Sequence, residues 1–368
     1  MGFKNAKFNN MTRQVRRIIF YIFVLFFIIL VPVIILYAQG YTFDWEKKTI
    51  LPTGGVYLKS YPSRAEIYIN DKLRGKTNGF VKRLTPKVYN IKISKNDYHT
   101  WEKNISVKPG LVTRIGNIFL VPFNPKIFLV ATDNEAYTDF TNPYSAPYNE
   151  LADLIKKKSK YAIFEINNLN LDSKKEKLYF LSKNNLYFLR IDKTNINNSE
   201  LSPILVPSVL NYALYKDGVI YLDYFTEKIF ELDLTSLKSA EFFSQVFPGF
   251  NQGEWVISND NMKLLCRKEN SIEILWLADA FSEADARKKG DVDKIDLGAK
   301  INQIVWYPRT DNNLIVATDD AILITELDNR LPRNTVKFIT TEKPEIKYDA
   351  DNRILYFLSQ ERLYQTEL

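Results

Sequence analysis

The pattern of apolar and polar residues divides the chain into three parts, of which the first is the most distinct. Ile18–Ala38 is a run of twenty-one residues without a charged side chain. At about 1.5 Å per residue, a helix of this length spans about 31 Å, which matches the ~30 Å hydrocarbon core of a bilayer. We therefore predict a transmembrane helix here, and Pro32 is compatible with it because membrane helices tolerate proline.

The charges that flank this run predict its orientation. The basic residues of the tail 1–17 are Lys4, Lys7, Arg13, Arg16 and Arg17. The tail has no acidic residue, and Tyr37, Tyr41 and Trp45 lie at the other end of the run. Because positive charge is retained on the cytoplasmic side and aromatic rings favour the interface, we expect the tail in the cytoplasm and the chain from Gln39 onward outside it.

A cleaved signal peptide is the alternative to a retained anchor. The apolar run is longer than the usual 7–15 residues of a signal peptide, and no A-x-A site follows it. No cysteine follows it either, as a lipoprotein signal requires. We therefore predict a single-pass protein of the cell membrane that contacts the lipid bilayer through Ile18–Ala38, followed by a juxtamembrane linker over residues 39–52.

Short alternating strands fill residues 53–122. Ala65, Ile67 and Ile69 share one strand face, and Tyr89, Ile91 and Ile93 alternate in the same way. Residues 70–75 have the composition of a turn between strands. This pattern of five or six short strands predicts a small antiparallel β-sandwich.

This segment resembles a PEGA domain. The positions that match the family pattern are Pro62, Ala65, Tyr68, Gly75, Thr77, Tyr98 and Trp101. The chain departs from the pattern at Arg64, where the family has Gly, and at Asn78, where Pro usually follows Thr. Because an Arg in a turn that needs a positive φ is strained, we expect this turn to be rebuilt. The resemblance implies an extracytoplasmic, non-catalytic surface module of the kind proposed to contact cell-wall or envelope material.

Paired strands recur through residues 123–368. The five pairs are 178–182 with 186–190, 219–223 with 229–234, 264–267 with 272–276, 314–318 with 322–327, and 354–359 with 363–368. Their first strands are 41, 45, 50 and 40 residues apart, and a further strand precedes each pair across an Asx- or Gly-containing turn. A period of 40–50 residues with about four strands predicts a β-propeller-like domain of five clear repeats, with a sixth blade as an alternative.

The repeats resemble TolB-like and WD40-like propellers, and Trp306-Tyr307-Pro308 is similar to a turn of TolB-like blades. We expect 127–140 to belong to a sixth blade or to donate a strand that closes the edge of the last strand. Residues 149–159 are predicted as a short helix, and 278–294 as a charged insertion on the rim, either solvated or partner-binding. A pair of β-sandwiches or an open array remains the alternative architecture.

Composition and charge exclude several function classes. The chain is 46% hydrophobic and 25% charged, which is typical of a folded protein. Its net charge is +7, but the tail supplies five of these charges, so the rest lacks the basic face that nucleic-acid binding needs. A single cysteine, Cys266, and a single histidine, His99, exclude a disulfide framework and metal sites built from several of these residues.

Candidate chemistry in the body of the chain is sparse. Acidic turns at 259–261 and 349–352 supply oxygen ligands for calcium, but such residues recur as hairpin turns, and we predict no metal and no cofactor. Asp319 and Asp320 are adjacent in a hairpin and do not face one cleft, as glycoside cleavage requires. We therefore expect a non-enzymatic binding or scaffold protein of the envelope that contacts a protein or a cell-wall polysaccharide. A glycan-active enzyme and a membrane sensor are the alternatives.

Overall fold

The computed structural model describes residues 13–44, 48–132, 154–155, 157–158, 166–172, 174, 176–192, 194–280, 286–308, 311–349 and 352–368. The fold is mainly β, with a long N-terminal helix. The chain forms two compact units. The first unit comprises Met1–Ile93 with Asn104–Ile118, and the second unit comprises Ser94–Lys103 with Phe119–Leu368. Ser94–Lys103 therefore lies in the β-sandwich segment of the sequence but belongs to the second unit.

The long helix, α1 (Arg13–Ala38), begins five residues ahead of the predicted span. None of its residues is buried, and its apolar stretch reaches a mean hydropathy of 3.3. A helix that is apolar on all sides and has none of its residues buried is suited to lipid. The chain therefore carries a candidate membrane span near its N-terminus.

The predicted linker contains regular structure. Strands β1 (Tyr41–Asp44) and β2 (Thr49–Pro52) pair antiparallel as a hairpin. The backbone amide of Thr53 and its hydroxyl both donate to the carbonyl oxygen of Gly40, at 2.8 and 2.6 Å. These bonds close the open end of the hairpin. The described residues between α1 and the sandwich therefore form regular structure and not an extended linker.

Seven strands form the sandwich. They are β3 (Gly54–Tyr61), β4 (Glu66–Ile69), β5 (Lys72–Lys76), β6 (Gly79–Leu84), β7 (Val88–Ser94), β8 (Trp101–Ser106) and β9 (Val112–Phe119). One sheet has the order β6-β3-β9 and the other the order β5-β4-β7-β8. Ile67, Ile69 and Ile91 are buried, as their alternation predicts. The predicted turn is shorter than expected, because only Asn70 and Asp71, both with positive φ, separate β4 from β5.

The second unit contains the repeats. Its strands are β10 (Ile127–Ala131), β11 (Asn167–Leu171), β12 (Lys177–Ser182), β13 (Asn185–Arg190), β14 (Glu200–Leu201), β15 (Val209–Tyr215), β16 (Gly218–Asp223), β17 (Lys228–Asp233), β18 (Lys238–Val246), β19 (Glu254–Ile257), β20 (Lys263–Arg267), β21 (Ser271–Trp276), β22 (Val292–Asp296), β23 (Ile301–Trp306), β24 (Asn313–Thr318), β25 (Ala321–Glu326), β26 (Thr335–Thr340), β27 (Glu345–Asp349), β28 (Ile354–Ser359) and β29 (Arg362–Glu367). Two 3-10 helices, Ile196–Asn198 and Pro248–Phe250, lie between strands.

These strands form five four-stranded antiparallel sheets within the described residues. Buried apolar side chains fill the space between each sheet and the next one along the chain. Among the first strands of the sheets, β15 lies beside both β11 and β19, and β23 lies beside β27. Asn211 of β15 accepts a bond from the Asn168 side chain of β11 and donates to the carbonyl oxygen of Gly253, just before β19. Single sheets packed in succession in this way are propeller-like blades and not paired sandwiches.

The last blade combines strands from distant parts of the sequence. Its order is β10-β29-β28-β27, so β10 covers the edge of β29. Of the two roles predicted for 127–140, the structure shows the closing strand, which covers Ile127–Ala131. Residues 133–140 lie outside the described residues. Pairing removes an exposed strand edge, which is a site of aggregation when it is left open.

Two further segments that interrupt the repeats are partly described. Of the helix predicted over 149–159, residues 154, 155, 157 and 158 are described and are helical. The predicted insertion 278–294 ends in regular structure, because Val292–Asp296 is the outer strand β22 of its blade. Val292, Lys294 and Asp296 are exposed while Ile295 is buried, so the charged composition of an outer strand resembled that of a loop.

Candidate functional site

The basic residues at the start of α1 form the first candidate feature. Arg13, Arg16 and Arg17 lie in its first two turns and are all exposed. Lys4 and Lys7 lie outside the described residues. The apolar part of the helix begins directly after Arg17, so the described positive charge is confined to one end of the candidate span.

The motif residues Pro62, Ala65 and Thr77 lie together at one turn of the sandwich. The hydroxyl of Thr77 accepts a hydrogen bond from the amide of Ala65 (2.9 Å), and the amide of Thr77 donates to the carbonyl oxygen of Ala65 (2.7 Å). The Ser60 hydroxyl lies 2.7 Å from the Thr77 hydroxyl and donates to the carbonyl oxygen of Pro62 (2.7 Å). Since Ala65 and Thr77 are buried, these residues stabilise the turn and do not present a binding surface.

The expectation that Arg64 would rebuild this turn is wrong. Arg64 has φ of +61°, the left-handed conformation that a Gly would adopt there. Asn78 has φ of +53°, which no proline can reach, and its side-chain oxygen accepts a bond from the amide of Ser60 at 3.3 Å. The backbone at Arg64 therefore has a conformation that glycine favours, whereas the backbone at Asn78 has one that proline cannot adopt. The Arg64 side chain is exposed.

Tyr68 and Gly75 lie on the neighbouring hairpin and take no part in this network. The Tyr68 hydroxyl donates to a carboxylate oxygen of Glu66 at 2.7 Å, and this bond raises the pKa of Tyr68. Gly75 is opposite Ile67, where the register of β4 and β5 shifts. The structure gives both residues local roles in the hairpin.

The last two motif residues, Tyr98 and Trp101, belong to the second unit. Tyr98 forms an isolated β-bridge with Pro122. Trp101 is buried, and its indole N–H donates to Glu326 Oε2 at 2.9 Å. The aromatic residue of the motif therefore contacts the last residue of β25.

Glu326 is the centre of a buried polar cluster. Its Oε1 accepts bonds from Lys103 Nζ (2.5 Å) and from both the amide and the side chain of Asn334 (2.8 and 2.6 Å). Lys103 Nζ also donates to the carbonyl oxygens of Asp328 (3.0 Å) and Arg330 (2.7 Å). Every polar atom of the pair that needs a partner in this low-dielectric site has one, which is the condition for burying charge.

Sequence analysis missed this cluster although one signal was present. Lys103 stands between Trp101 and Ile105 on a strand whose alternate residues are buried. A charged residue at an inward position implies a buried partner. The sequence does not identify that partner, because Glu326 lies 223 residues away.

The side chains considered for chemistry have structural roles in the described residues. The buried carboxylate of Asp311 accepts bonds from the Asn259 side chain (2.7 Å) and the Asp260 amide (2.8 Å). Asp320 pairs with Lys337 at 2.9 Å, and Asp319 accepts a bond from Asn302. No three His, Cys, Asp or Glu side chains come together as metal ligands in the part of the chain that the structure describes.

The single cysteine and the single histidine are separate from these groups. Cys266 is fully buried, and this burial raises the pKa of its thiol to about 12. His99 packs its ring against Phe123, with the centroids 4.3 Å apart, and burial lowers the pKa of its imidazole. The raised pKa of Cys266 disfavours its reactive thiolate form at neutral pH.

Comparison with known proteins gives one family match. Residues 53–118 match the PEGA domain. No curated protein matches the sequence.

Among solved structures, the chain is similar to the extracellular domain of a candidate hybrid two component system from B. thetaiotaomicron (11% identity, 55% of this chain and 27% of that chain, TM-score 0.36). It is also similar to the β-propeller domain of Cps50 (Swd1) from Myceliophteria thermophila (11% identity, 53% of this chain and 66% of that chain, TM-score 0.35). A third similar structure is TolB from Acinetobacter baumannii (8% identity, 55% of this chain and 54% of that chain, TM-score 0.33). The chain spans about a quarter of the first of these and at most 66% of the other two. With TM-scores this low, the likeness supports no statement about function.

Proposed function

We propose that this protein is a single-pass membrane protein whose β-sandwich and propeller-like blades lie outside the cytoplasm and serve as a non-enzymatic binding platform of the cell envelope. The observation that carries the proposal is α1, a 26-residue helix with no buried residue and with its described basic residues at its start. A surface of this kind is unstable in water and stable in lipid. The positive end then stays in the cytoplasm.

The proposal of a binding role, as opposed to an enzymatic one, is supported by how the acidic side chains are used. Asp311 and Glu326 are buried and are saturated with hydrogen bonds from neighbouring backbone and side chains. Arg287 pairs with Asp293 at 2.9 Å, and both are largely buried. Carboxylates engaged in this way hold loops in place and are not poised to transfer protons.

The platform itself is proposed to be the loop surface of the propeller-like blades. Rigid sheets with connecting loops at their ends suit recognition, because loop residues can vary without changing the core. We propose a protein or a cell-wall polysaccharide as the partner and assign no role in nucleic-acid binding.

Cysteine labelling of the full-length protein tests the orientation. Ala240 is exposed on β18, so Ala240→Cys gives a reporter in the second unit, and Ala6→Cys gives a matched reporter in the tail. The native Cys266 is buried and does not compete for the reagent. In right-side-out membrane vesicles, a membrane-impermeant maleimide should label Ala240→Cys only, and in inside-out vesicles Ala6→Cys only.

The reverse pattern would refute the proposed orientation. Loss of the protein from membranes washed with alkaline carbonate would refute the anchor itself. For the partner, co-sedimentation of the purified protein with insoluble cell-wall polymer tests the polysaccharide, and chemical cross-linking in intact cells tests the protein. Failure of both would remove the binding role.

A further inference from the structure

A β-bulge places Arg83 in an unusual backbone conformation. In the pairing of β3 with β6, Gly54 is opposite Leu84 and Val56 is opposite Val81, so Lys82 and Arg83 together face a single residue, Gly55. Arg83 has φ of +59°. Bulges redirect side chains, and a left-handed residue that is not glycine is retained at a cost of about 1 kcal/mol or more.

The redirected side chain contacts the end of α1. The Arg83 guanidinium carbon lies 3.6 Å from the centre of the Tyr37 ring, and Nη1 donates to the Tyr37 hydroxyl. Tyr37 is the penultimate residue of the helix. Neither Arg83 nor its neighbour Lys82 has a carboxylate partner among the residues that the structure describes. The remaining guanidinium N–H groups of Arg83 therefore remain available for an anion.

An apolar groove of about 250 Å³ lies at the same end of α1. It is lined by Val33 and Leu36 of the helix and by Tyr41, Phe43 and Ile50 of the β1–β2 hairpin. The side chains of Phe43 and Ile50 are 44% and 52% exposed, although both are large and apolar. The groove continues the lipid-facing surface of the helix onto the hairpin.

We propose that this end of the first unit binds a phospholipid of the leaflet that it faces, with an acyl chain in the groove and the phosphate on Arg83. The inference rests on the proposed function, because it requires that α1 spans a bilayer. Three features favour a lipid as the occupant. The groove is continuous with the helix surface, the aromatic side chains of Tyr37 and Tyr41 suit the interface, and the nearby cations have no carboxylate partner among the described residues. Arginine forms charge-assisted, two-pronged bonds with phosphate oxygens, which a lysine does not.

Native mass spectrometry of the full-length protein, delipidated in detergent and titrated with dioleoyl phosphatidylglycerol, tests the site. Arg83→Gly is the best variant, since it removes the guanidinium and suits the backbone at φ +59°. We expect the apparent lipid affinity to fall at least fivefold. Arg83→Lys should lose most of this affinity as well, because it keeps the charge without the planar fork.

Lys72→Ala is the matched control, since Lys72 is an exposed cation of the same unit on the other sheet. Its affinity should stay within twofold of the parent. Equal affinities of Arg83→Gly and the parent would overturn the proposed site. Full competition by water-soluble glycerol phosphate would also overturn it, because the groove would then contribute nothing. If alkaline carbonate removes the parent protein from membranes, the proposed function is refuted as well. If the parent protein stays in the membrane but does not bind the lipid, only this inference is refuted.

Discussion

Lys103 Nζ lies 2.5 Å from Glu326 Oε1, and the two side chains are 0% and 9% exposed. Breaking a buried ion pair by removing one partner leaves an uncompensated charge, which costs about 3–5 kcal/mol. Lys103→Met keeps most of the apolar stem but leaves the buried carboxylate of Glu326 without its positively charged partner. We expect this variant to lower the free energy of unfolding of the second unit by about 3 kcal/mol.

Urea unfolding in detergent, followed by tryptophan fluorescence, checks this value. Trp101, Trp255, Trp276 and Trp306 all lie in the second unit, so the signal reports mainly on that unit. Lys228→Met is the control, because Lys228 pairs with Glu241 at the surface of the same unit, where such pairs contribute about 1 kcal/mol or less. Comparable unfolding curves for Lys103→Met and the parent would show that the pair is dispensable.

The stability of this cluster depends on pH through the carboxyl group of Asp328. Burial alone would raise the pKa of Asp328, but the hydrogen bond and charge of Arg330, together with the charge of Lys103, hold it below its ordinary value. A carboxyl whose pKa is lowered by folding stabilises the protein above its unfolded pKa of about 3.9, and this stabilisation is lost as the pH falls through the folded value. We expect Asp328→Asn to be less stable than the parent at pH 7, and we expect this difference to shrink as the pH falls below about 3.9. A difference that persists unchanged in acid would contradict the assignment.

Arg64→Gly should stabilise the turn that Arg64 now occupies with φ of +61°. Relief of the left-handed conformation is worth about 1 kcal/mol. Hydrogen exchange of the amides in 60–80 should therefore slow about fivefold. Arg74→Gly provides the comparison, since Arg74 lies in β5 without a positive φ, and glycine there should speed exchange. The idea fails if the two substitutions act in the same direction.

Thr77→Val tests the hydrogen bonds that join the motif residues. The substitution keeps the volume but leaves the Ala65 amide without its side-chain acceptor, which costs about 1–3 kcal/mol. The Ala65 amide should exchange at least fivefold faster than in the parent. Thr77→Ser retains the hydroxyl and should restore slow exchange; if Ser behaves like Val, packing of the methyl group and not the hydrogen bond stabilises the turn.

Cys266 should be chemically inert in the folded protein. Its side chain is fully buried, and burial raises its thiol pKa to about 12, so little reactive thiolate is present at pH 8. Iodoacetamide at pH 8 should label Ala240→Cys once per chain and label a second cysteine only after denaturant is added. Rapid native labelling of the parent would show that the blade opens.

The repeats were predictable because local rules determine them. The pair predicted at 178–182 and 186–190 is observed as β12 and β13, joined by Lys183 and Asn184 in left-handed turn conformations. The signals that predict such a pair are alternating apolar residues, a two-residue turn and a second apolar run. All three lie within about fifteen residues of one another in the sequence. For the same reason the outer strand β22 was missed, since one of its faces is exposed and its charges resemble those of a loop.

The cluster around Glu326 and the conformation of Arg64 could not be predicted for different reasons. Asn334 bonds both Glu326 and the backbone of Glu102, and such a combination depends on packing between distant segments. Arg64 shows the opposite case, because the preference of a non-glycine residue for negative φ is overridden by the surrounding turn. The bonds of Thr77 and Ser60 hold the turn so firmly that an unfavourable residue is tolerated in it.

Because β10 pairs with β29, the ribosome must translate all four intervening sheets before the last blade is complete. During that time Phe128, Leu129 and Val130 of the nascent chain have no strand beside them. A chain stopped before β29 would leave both β10 and β28 with open edges and would be a substrate for quality-control proteases or aggregation.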